Sequence, residues 1–129
     1  MKIVDVAVGV IKRQDMIYIS KRADNLHQGG LWEFPGGKKE AHETIEDALC
    51  RELLEEVNIS VLVQTPLMVI EHDYGDKKVR LDVRVVEQFN GEPSPQEGQL
   101  AKWVTIANLH DYAFPEANLA IIAKVAELV

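Results

Sequence analysis

The chain has 129 residues and a formal net charge of −7, and 47% of its residues are hydrophobic while 27% are charged. This composition excludes a disordered chain and predicts one globular domain over residues 1–129. The acidic balance argues against a protein that holds long nucleic acid by its phosphates. No stretch approaches the roughly 20 apolar residues of a membrane-spanning helix, so we expect no membrane insertion.

Cys50 is the only cysteine of the chain, so no internal disulfide can form. Its position inside a predicted helix favours a small buried residue over a reactive thiol. A chain without a disulfide fits a reducing compartment. We therefore predict a cytoplasmic protein, which we also expect to be a monomer.

The first predicted elements are two strands that form a hairpin. Residues 3–11 are rich in valine and isoleucine, and the polar pair QD at 14–15 separates them from the apolar run MIYISKR. The following segment, residues 23–39, contains four glycines and a proline, which predicts a long irregular loop with a short extended piece at LWEFP. Long loops in small domains are commonly functional.

A helix is predicted to run from Thr44 to about Val57. Thr44 and Asp47 resemble a capping box, in which the threonine caps the helix and the acid complements the helix dipole. Asn58 follows, and asparagine tolerates the left-handed conformation that often ends a helix.

The second half of the chain predicts further strands and a final helix. An extended segment over 59–72 leads through the turn DYGDKK to a strand over 79–89, in which apolar and charged residues alternate. This alternation predicts a sheet with one face exposed to water. A turn-rich loop, NGEPSPQEGQ, precedes a last strand, LAKWVTI, and the chain ends in a helix with Pro115 near its first turn.

Three glutamates crowd one face of the predicted helix. On a helical wheel of about 100° per residue, they lie at the border of the core beside the apolar stripe of Leu49 and Leu53. These acids are Glu52, Glu55 and Glu56. Like charges at such spacings repel, and a solvated acidic face is the plain interpretation of the cluster alone. A hard divalent cation that takes carboxylate oxygens as ligands would offset the repulsion.

The residues around this cluster resemble the Nudix box. That pattern reads Gly, five residues, Glu, seven residues, Arg, Glu, an aliphatic residue, any residue, Glu, Glu, any residue, Gly and an aliphatic residue. The matching positions are Gly37, Glu43, Arg51, Glu52, Leu53, Glu55, Glu56 and Ile59. Asn58 stands where the pattern has its last glycine.

Outside the box, the segments VGVI, EFPGGK, GEP and FPEAN make nearly the whole chain similar to MutT-type 8-oxo-dGTP pyrophosphohydrolases. The resemblance implies an α/β fold, the Nudix α/β/α sandwich, in which a mixed sheet is flanked by helices. It also implies a Mg²⁺-dependent enzyme, with Mn²⁺ as a substitute, that hydrolyses a nucleoside triphosphate to a monophosphate and pyrophosphate. The expected substrate is 8-oxo-dGTP, and the expected role is sanitation of the nucleotide pool.

The resemblance also implies roles for particular residues. The expected metal ligands are oxygen donors from the box and its flanks: Glu52, Glu55, Glu56, Glu97 and the backbone carbonyl of Gly36. Glu52 is the expected base that takes a proton from water, with Glu97 as the competing candidate. Arg51 is expected to orient Glu52 or Glu55 through its planar guanidinium. Lys38 would stabilise charge on the phosphates.

Substrate recognition is expected at three residues: Arg22 near the phosphates or the base, Phe34 as an apolar wall, and Asn118 at the purine edge. The amide of Asn118 carries both a donor and an acceptor. In 8-oxoguanine, N7 is a donor where guanine has an acceptor, so an acceptor held by the pocket would prefer the oxidised base. The four histidines show no metal-ligand spacing, and we interpret them as surface or core residues.

Two alternatives differ in substrate or in chemistry. An enzyme of the same superfamily that acts on CTP or modified dCTP is favoured by Arg80, Asp82 and Arg84, which make one face of a strand polar where an aromatic-rich surface is expected. A Nudix-like module that binds nucleotide as a sensor, without hydrolysing it, would be favoured by loss of the box acids. All of these acids are present.

Overall fold

The computed structural model describes residues 2–22 and 30–128. Part of the predicted irregular loop, residues 23–29 with His27, lies outside the described residues. The strands of the described chain are β1 (Lys2–Arg13), β2 (Met16–Lys21), β3 (Trp32–Glu33), β4 (Gly36–Lys38), β5 (Ser60–Asp73), β6 (Lys77–Asn90) and β7 (Ala101–Thr105). Its α-helices are α1 (Ile45–Val57) and α2 (Leu119–Val125), and 3₁₀ turns cover Ile106–Asp111, Glu116–Asn118 and Ala126–Leu128.

The described strands form a mixed sheet with β1 at its centre. β1 pairs with β2 and β4 in antiparallel fashion and with β6 in parallel. The order across the sheet is β3-β2-β1-β6-β5, with β4 also on β1 and β7 also on β2. The predicted hairpin is confirmed, since Arg13 lies opposite Met16 across the turn.

Helices cover both faces of this sheet. Successive residues of a strand point to opposite faces, so neighbouring residues of β1 pack against different helices. On one face, Ile11 of β1 belongs to a buried cluster with Leu49 and Leu53 of α1. On the other face, Val10 belongs to a second cluster with Ile121 of α2. The predicted sandwich of a mixed sheet between helices is confirmed.

The ends of α1 lie where the sequence predicts them. Oγ1 of Thr44 accepts a hydrogen bond from the backbone amide of Asp47 at 3.1 Å. Asn58 adopts the left-handed conformation with φ 59° and ψ 39°, and its amide binds the carbonyls of Leu53 and Leu54. Local capping therefore sets where the glutamate face of α1 begins and ends.

β4 differs from the sequence prediction, which treats its residues as part of a loop. β2 pairs with β1 only over residues 11–13, which leaves the backbone groups at the start of β1 without that partner. β4 pairs there instead, so that Gly36 lies opposite Val8 and Lys38 opposite Val6. Backbone groups that would otherwise be buried without partners thus obtain hydrogen bonds.

The prediction of a water-exposed face on β6 is wrong at Arg84. Only 8% of this residue is exposed, and its Nη1 lies 3.2 Å from Oδ1 of Asp82. Its Nη2 lies 3.9 Å from Oε2 of Glu46 on α1. The helix covers this part of the strand, and neighbouring carboxylates replace water as partners of the buried cation.

The helical segments near the C-terminus are shorter than predicted. The residues after Pro115 first form a 3₁₀ turn, and α2 begins only at Leu119. Residues Ile106–Asp111, which carry no helix prediction, form another 3₁₀ turn. In the described part of the chain, no helix is long and apolar enough to cross a membrane.

Candidate active site

A cavity of about 320 Å³ opens between β1, β4, β6 and the 3₁₀ turn before α2. Part of its lining is apolar and comes from Val6 and Val8 of β1 and from Val79 and Leu81 of β6. Six of the predicted site residues also line it: Arg22, Phe34, Gly36, Lys38, Glu56 and Asn118. Polar groups from distant parts of the chain thus converge on one concave surface, as in small-molecule sites.

Gly36 and Gly37 allow β4 to lie close to its neighbours. A Cβ atom at Gly36 would collide with the backbone carbonyl of Ala7. A Cβ atom at Gly37 would collide with the carboxylate of Glu52. The amide of Gly36 donates a hydrogen bond to Oε2 of Glu56 at 3.1 Å. The glycines therefore bring the backbone of β4 against two glutamates of α1.

Glu52 and Glu56 are carboxyl groups that burial makes harder to ionise. Burial raises the pKa of Glu56 to about 8, and repulsion from Glu33 adds to this effect. Burial also raises the pKa of Glu52. Glu97, in the loop between β6 and β7, adds negative charge that both groups feel. A bound cation would relieve the cost of charging these groups, so the donor set fits a divalent ion that prefers oxygen ligands.

Arg51 binds Glu43 more closely than it approaches the glutamates it is predicted to orient. Its Nε and Nη2 donate to the two carboxylate oxygens of Glu43 at 2.6 and 2.9 Å, which lowers the pKa of Glu43 to about 2. Its Nη1 lies 3.6 Å from Oε2 of Glu52 and 3.5 Å from Oε2 of Glu55. Nη2 also donates to the carbonyl of Lys38 at 3.1 Å. One guanidinium thus connects β4 and the segment before α1 to the glutamate face.

Phe34 and Asn118 contribute to the cavity from distant parts of the sequence. Phe34 is only 5% exposed and stacks on Phe114, with the ring centroids 5.1 Å apart. The side chain of Asn118 makes no capping hydrogen bond to α2, while its backbone amide donates to the carbonyl of Pro115 at 2.9 Å. The turn therefore places Asn118 at the cavity, and the side-chain amide of Asn118 does not serve as a helix cap.

The chain matches the NUDIX domain family over residues 6–124. It belongs to the NUDIX family. It is 39% identical over 129 residues to the 8-oxo-dGTP diphosphatase of Escherichia coli strain K12, with 99% of this chain and 100% of the relative covered. It is 30% identical over 122 residues to the CTP pyrophosphohydrolase of Escherichia coli strain K12, with 95% of this chain and 90% of the relative covered.

The fold of this NUDIX protein is also that of a solved MutT structure, from work on the proteins of Aliivibrio salmonicida and Vibrio cholerae. The two structures superpose with a TM-score of 0.89 at 39% identity, covering 99% of this chain and 100% of the other. The predicted family and sandwich architecture are therefore confirmed together.

Glu33 is a cavity residue that the sequence prediction omits. Nη1 of Arg22 donates to Oε2 of Glu33 at 3.0 Å, and both residues line the cavity. Burial raises the pKa of Glu33, and the hydrogen bond from Arg22 partly offsets this effect. The signal lies in the segment EFPGGK, where Glu33 directly precedes the predicted site residue Phe34.

His72 and Tyr74 also line the cavity, and the sequence prediction names neither of them as a site residue. The two rings lie 4.4 Å apart and are tilted by 58°. Pairing of β5 with β6 places His72 opposite Val79, another cavity residue. No local sequence signal marks His72, because the pairing of β5 with β6 brings it to the cavity.

A second group of possible metal ligands is not among the residues that line the cavity. Glu40, His42 and Glu43 each offer one ligand atom within 4.8 Å of the others, so the prediction that no histidine has metal-ligand spacing does not hold for His42. The carboxylate of Glu43 is already bound by Arg51 and by the amide of Glu40 at 2.9 Å. The Glu43 carboxylate is therefore already engaged within the protein.

Proposed function

We propose that this NUDIX protein hydrolyses 8-oxo-dGTP to the nucleoside monophosphate and pyrophosphate in a reaction that requires a divalent metal. The observation that carries the proposal is a cavity with Glu56 and Gly36 on its wall and Asn118 on the same lining. Oxygen ligands for the metal ion of a triphosphate substrate and an amide for its base would therefore share one surface. The similarity to an 8-oxo-dGTP diphosphatase along nearly the whole chain supports this substrate.

The metal would be held by glutamates of α1, by the loop between β6 and β7, and by β4. The proposed ligands are Glu52, Glu55, Glu56, Glu97 and the carbonyl of Gly36. Mg²⁺ suits such oxygen donors, and Mn²⁺ is the natural substitute. When bound, the ion would offset the charge of the phosphates and lower the pKa of water.

The protein's own residues would supply proton transfer and positive charge. We assign Glu52 as the base that accepts a proton from the attacking water, with Glu97 as the competing group for this role. Arg51 would position Glu52 and Glu55, since its Nη1 lies within 3.6 Å of both carboxylates. Lys38 and Arg22 line the cavity, where cations would favour the phosphate groups of the substrate.

Recognition of the base would use Asn118 and Phe34. An amide oxygen at the cavity accepts a hydrogen bond from the N7–H group of 8-oxoguanine, whereas N7 of guanine offers only an acceptor. With the Asn118 amide held by the pocket so that its oxygen faces N7, guanine would leave that acceptor unpaired, which costs about 1–3 kcal/mol. Phe34 is held by its stacking on Phe114, so it would present a preformed apolar wall.

A cytidine triphosphate is the second candidate substrate, because a CTP pyrophosphohydrolase is among the relatives. The polar residues that favour this alternative are Arg80, Asp82 and Arg84, and they do not line the cavity. Alternation along β6 turns Val79 and Leu81 toward the cavity instead. The polar face therefore gives no support to a pyrimidine substrate, and 8-oxo-dGTP remains the better proposal.

The test is a substrate panel of 8-oxo-dGTP, dGTP, CTP and dCTP, each incubated with the protein and Mg²⁺. We expect monophosphate and pyrophosphate as products and the highest kcat/KM for 8-oxo-dGTP. Equal or faster turnover of the cytidine nucleotides would reject the proposed substrate. Nucleotide binding without any turnover would instead favour a sensor, the alternative in which the site binds but does not hydrolyse.

A further inference from the structure

The loop between β6 and β7, residues 91–100, is docked on the C-terminal end of α1. The amide of Ser94 donates to the carbonyl of Val57 at 3.0 Å, and the amide of Gln96 donates to the carbonyl of Glu56 at 3.0 Å. The last carbonyls of a helix have no partner within the helix, so these bonds satisfy groups that would otherwise lack one. The loop is therefore attached to the helix that carries the glutamates of the site.

The start of the same loop is attached to the sheet. Nη1 and Nη2 of Arg13 donate to the two carboxylate oxygens of Glu92 at 3.1 and 3.0 Å. The guanidinium of Arg13 also lies over the ring of Trp103, 4.7 Å from its centroid. These contacts hold the loop before Ser94 but do not reach Glu97.

The side chain of Gln99 binds the backbone of Glu97. Its Oε1 accepts a hydrogen bond from the backbone amide of Glu97 at 2.9 Å. Gly98 between them adopts φ +77°, a conformation that other residues rarely take. The side chain of Gln99 thus closes a tight turn at the residue whose charge is felt by Glu52 and Glu56.

The turn matters because Glu97 is exposed. An exposed side chain on a freely moving loop loses conformational entropy when it becomes a ligand, and that loss weakens binding. A backbone that is already held in one conformation loses less conformational entropy when its side chain binds the metal. We propose that Gln99 is a positioning residue that holds Glu97 toward the glutamates of α1 and so increases the affinity of the site for a divalent metal. This inference rests on the proposed function.

The test compares the full-length protein with two variants that have the same substitution in the same loop. Gln99→Met keeps the length of the side chain and removes the acceptor for Glu97. Gln96→Met is the matched control. Among the described residues, Nε2 of Gln96 donates only to Ser94, to its carbonyl oxygen at 3.1 Å and to its hydroxyl oxygen at 2.9 Å. Free Mn²⁺ is measured by electron paramagnetic resonance in a titration without nucleotide, and the Mg²⁺ dependence of pyrophosphate release is measured separately.

We expect Gln99→Met to raise the Kd for Mn²⁺ and the half-saturating Mg²⁺ concentration by about 3- to 10-fold, the effect of one lost hydrogen bond. Activity at saturating Mg²⁺ should fall by a smaller factor than the metal affinity, because the bound metal then holds Glu97 in place. Gln96→Met should stay within about 2-fold of the wild type in both assays.

Three outcomes would overturn the inference. Wild-type metal dependence in Gln99→Met, with an active wild type, would reject the role of Gln99 and leave the proposed function intact. An equal shift in Gln96→Met would indicate general loosening of the loop. A wild-type protein that neither binds Mn²⁺ nor hydrolyses nucleotide would overturn the proposed function, and this inference with it.

Discussion

Glu52 is the residue on which the proposed chemistry depends most directly. Its carboxylate lies so close to the backbone at Gly37 that a Cβ atom there would collide with it, and burial raises its pKa. Partial shielding from water makes this carboxylate a better proton acceptor, while the nearby Arg51 guanidinium favours its ionised form, which is the form that can accept a proton. Its neighbour Glu56 is shielded further and would serve as a ligand.

Glu52→Gln should lower kcat by about 10²- to 10⁴-fold, because the amide cannot accept the proton from water. The shape of the side chain is kept, so the thermal unfolding temperature should change little. Pyrophosphate release under saturating Mg²⁺ measures the effect. Glu127→Gln, in the 3₁₀ turn at the end of the chain, is the control, and near-normal activity of Glu52→Gln would remove Glu52 from the mechanism.

Asn118→Ala should reduce the preference for 8-oxo-dGTP over dGTP. The lost hydrogen bond corresponds to about 1–3 kcal/mol of discrimination, or roughly a 5- to 150-fold smaller ratio of kcat/KM values. Parallel assays with the two nucleotides give this ratio. Stability should be nearly unchanged because the Asn118 side chain does not cap α2, and an unchanged ratio would place base recognition elsewhere.

At the scale of elements, α1 is joined to the preceding segment by the Glu43–Arg51 pair. The pKa of Glu43 is lowered from 4.5 to about 2, chiefly by its hydrogen bond from Arg51. A carboxyl group whose pKa is lower in the folded protein stabilises the fold above its unfolded pKa, and this stabilisation is lost as the pH falls through the folded value. The window for Glu43 therefore runs from about 4.5 down to about 2.

Glu43→Gln should be less stable than the wild type at pH 7, and the difference should shrink steadily as the pH is lowered from 5 toward 3. Urea unfolding midpoints of the metal-free proteins measure this difference. Glu127→Gln, at the other end of the chain, is the control and should show no such convergence. A constant gap between Glu43→Gln and wild type across this range would contradict the assigned role of the charge.

Asn58 ends α1 in a left-handed conformation, with φ 59°. Asn58→Ala should cost about 1 kcal/mol of unfolding free energy, because a Cβ atom without a compensating polar group strains this conformation. Asn58→Gly restores the residue of the Nudix box and should stay within about 0.5 kcal/mol of the wild type. Urea unfolding of both variants gives the comparison, and equal stability of Asn58→Ala and Asn58→Gly would argue against conformational strain.

At the scale of the whole molecule, the proposed metal ligands come from three separate elements. Glu52 and Glu56 lie on α1, Gly36 lies on β4, and Glu97 lies in the loop between β6 and β7. The glutamates among these ligands repel one another, and the chain as a whole adds to this effect because it carries a formal charge of −7. A shared cation would reduce this repulsion and connect the three elements.

Mg²⁺ should therefore raise the unfolding temperature in a concentration-dependent way. A ligand present at 100 times its Kd stabilises the folded state by about 2.7 kcal/mol when it does not bind the unfolded chain. Calorimetry with increasing MgCl₂ measures the effect, and NaCl at matched ionic strength separates binding from screening. Equal effects of the two salts would mean that the glutamates do not form a specific site.

Several properties of the whole molecule stay predictions from composition. The organisation of residues 1–129 as one domain, the monomeric state and the cytoplasmic location each rest on length, charge and the single cysteine. Size-exclusion chromatography with light scattering tests the predicted monomer directly.

The sequence by itself determined α1, its two caps and the spacing of its glutamates. Thr44 and Asn58 act on backbone groups only a few residues away, and a helix repeats every 3.6 residues, so the face shared by the acids follows from local geometry. The first hairpin is equally local, because its two strands are joined by a two-residue turn.

Only the tertiary structure decided which strands meet at the cavity. Gly36 reaches Glu56 because β4 takes the edge of β1 that β2 leaves, and His72 reaches the site because β5 pairs with β6. Arg84 is buried because α1 packs over the part of β6 that contains it. Hydrogen bonds between strands join residues far apart in the chain, and their choice of partner depends on competition among all available edges.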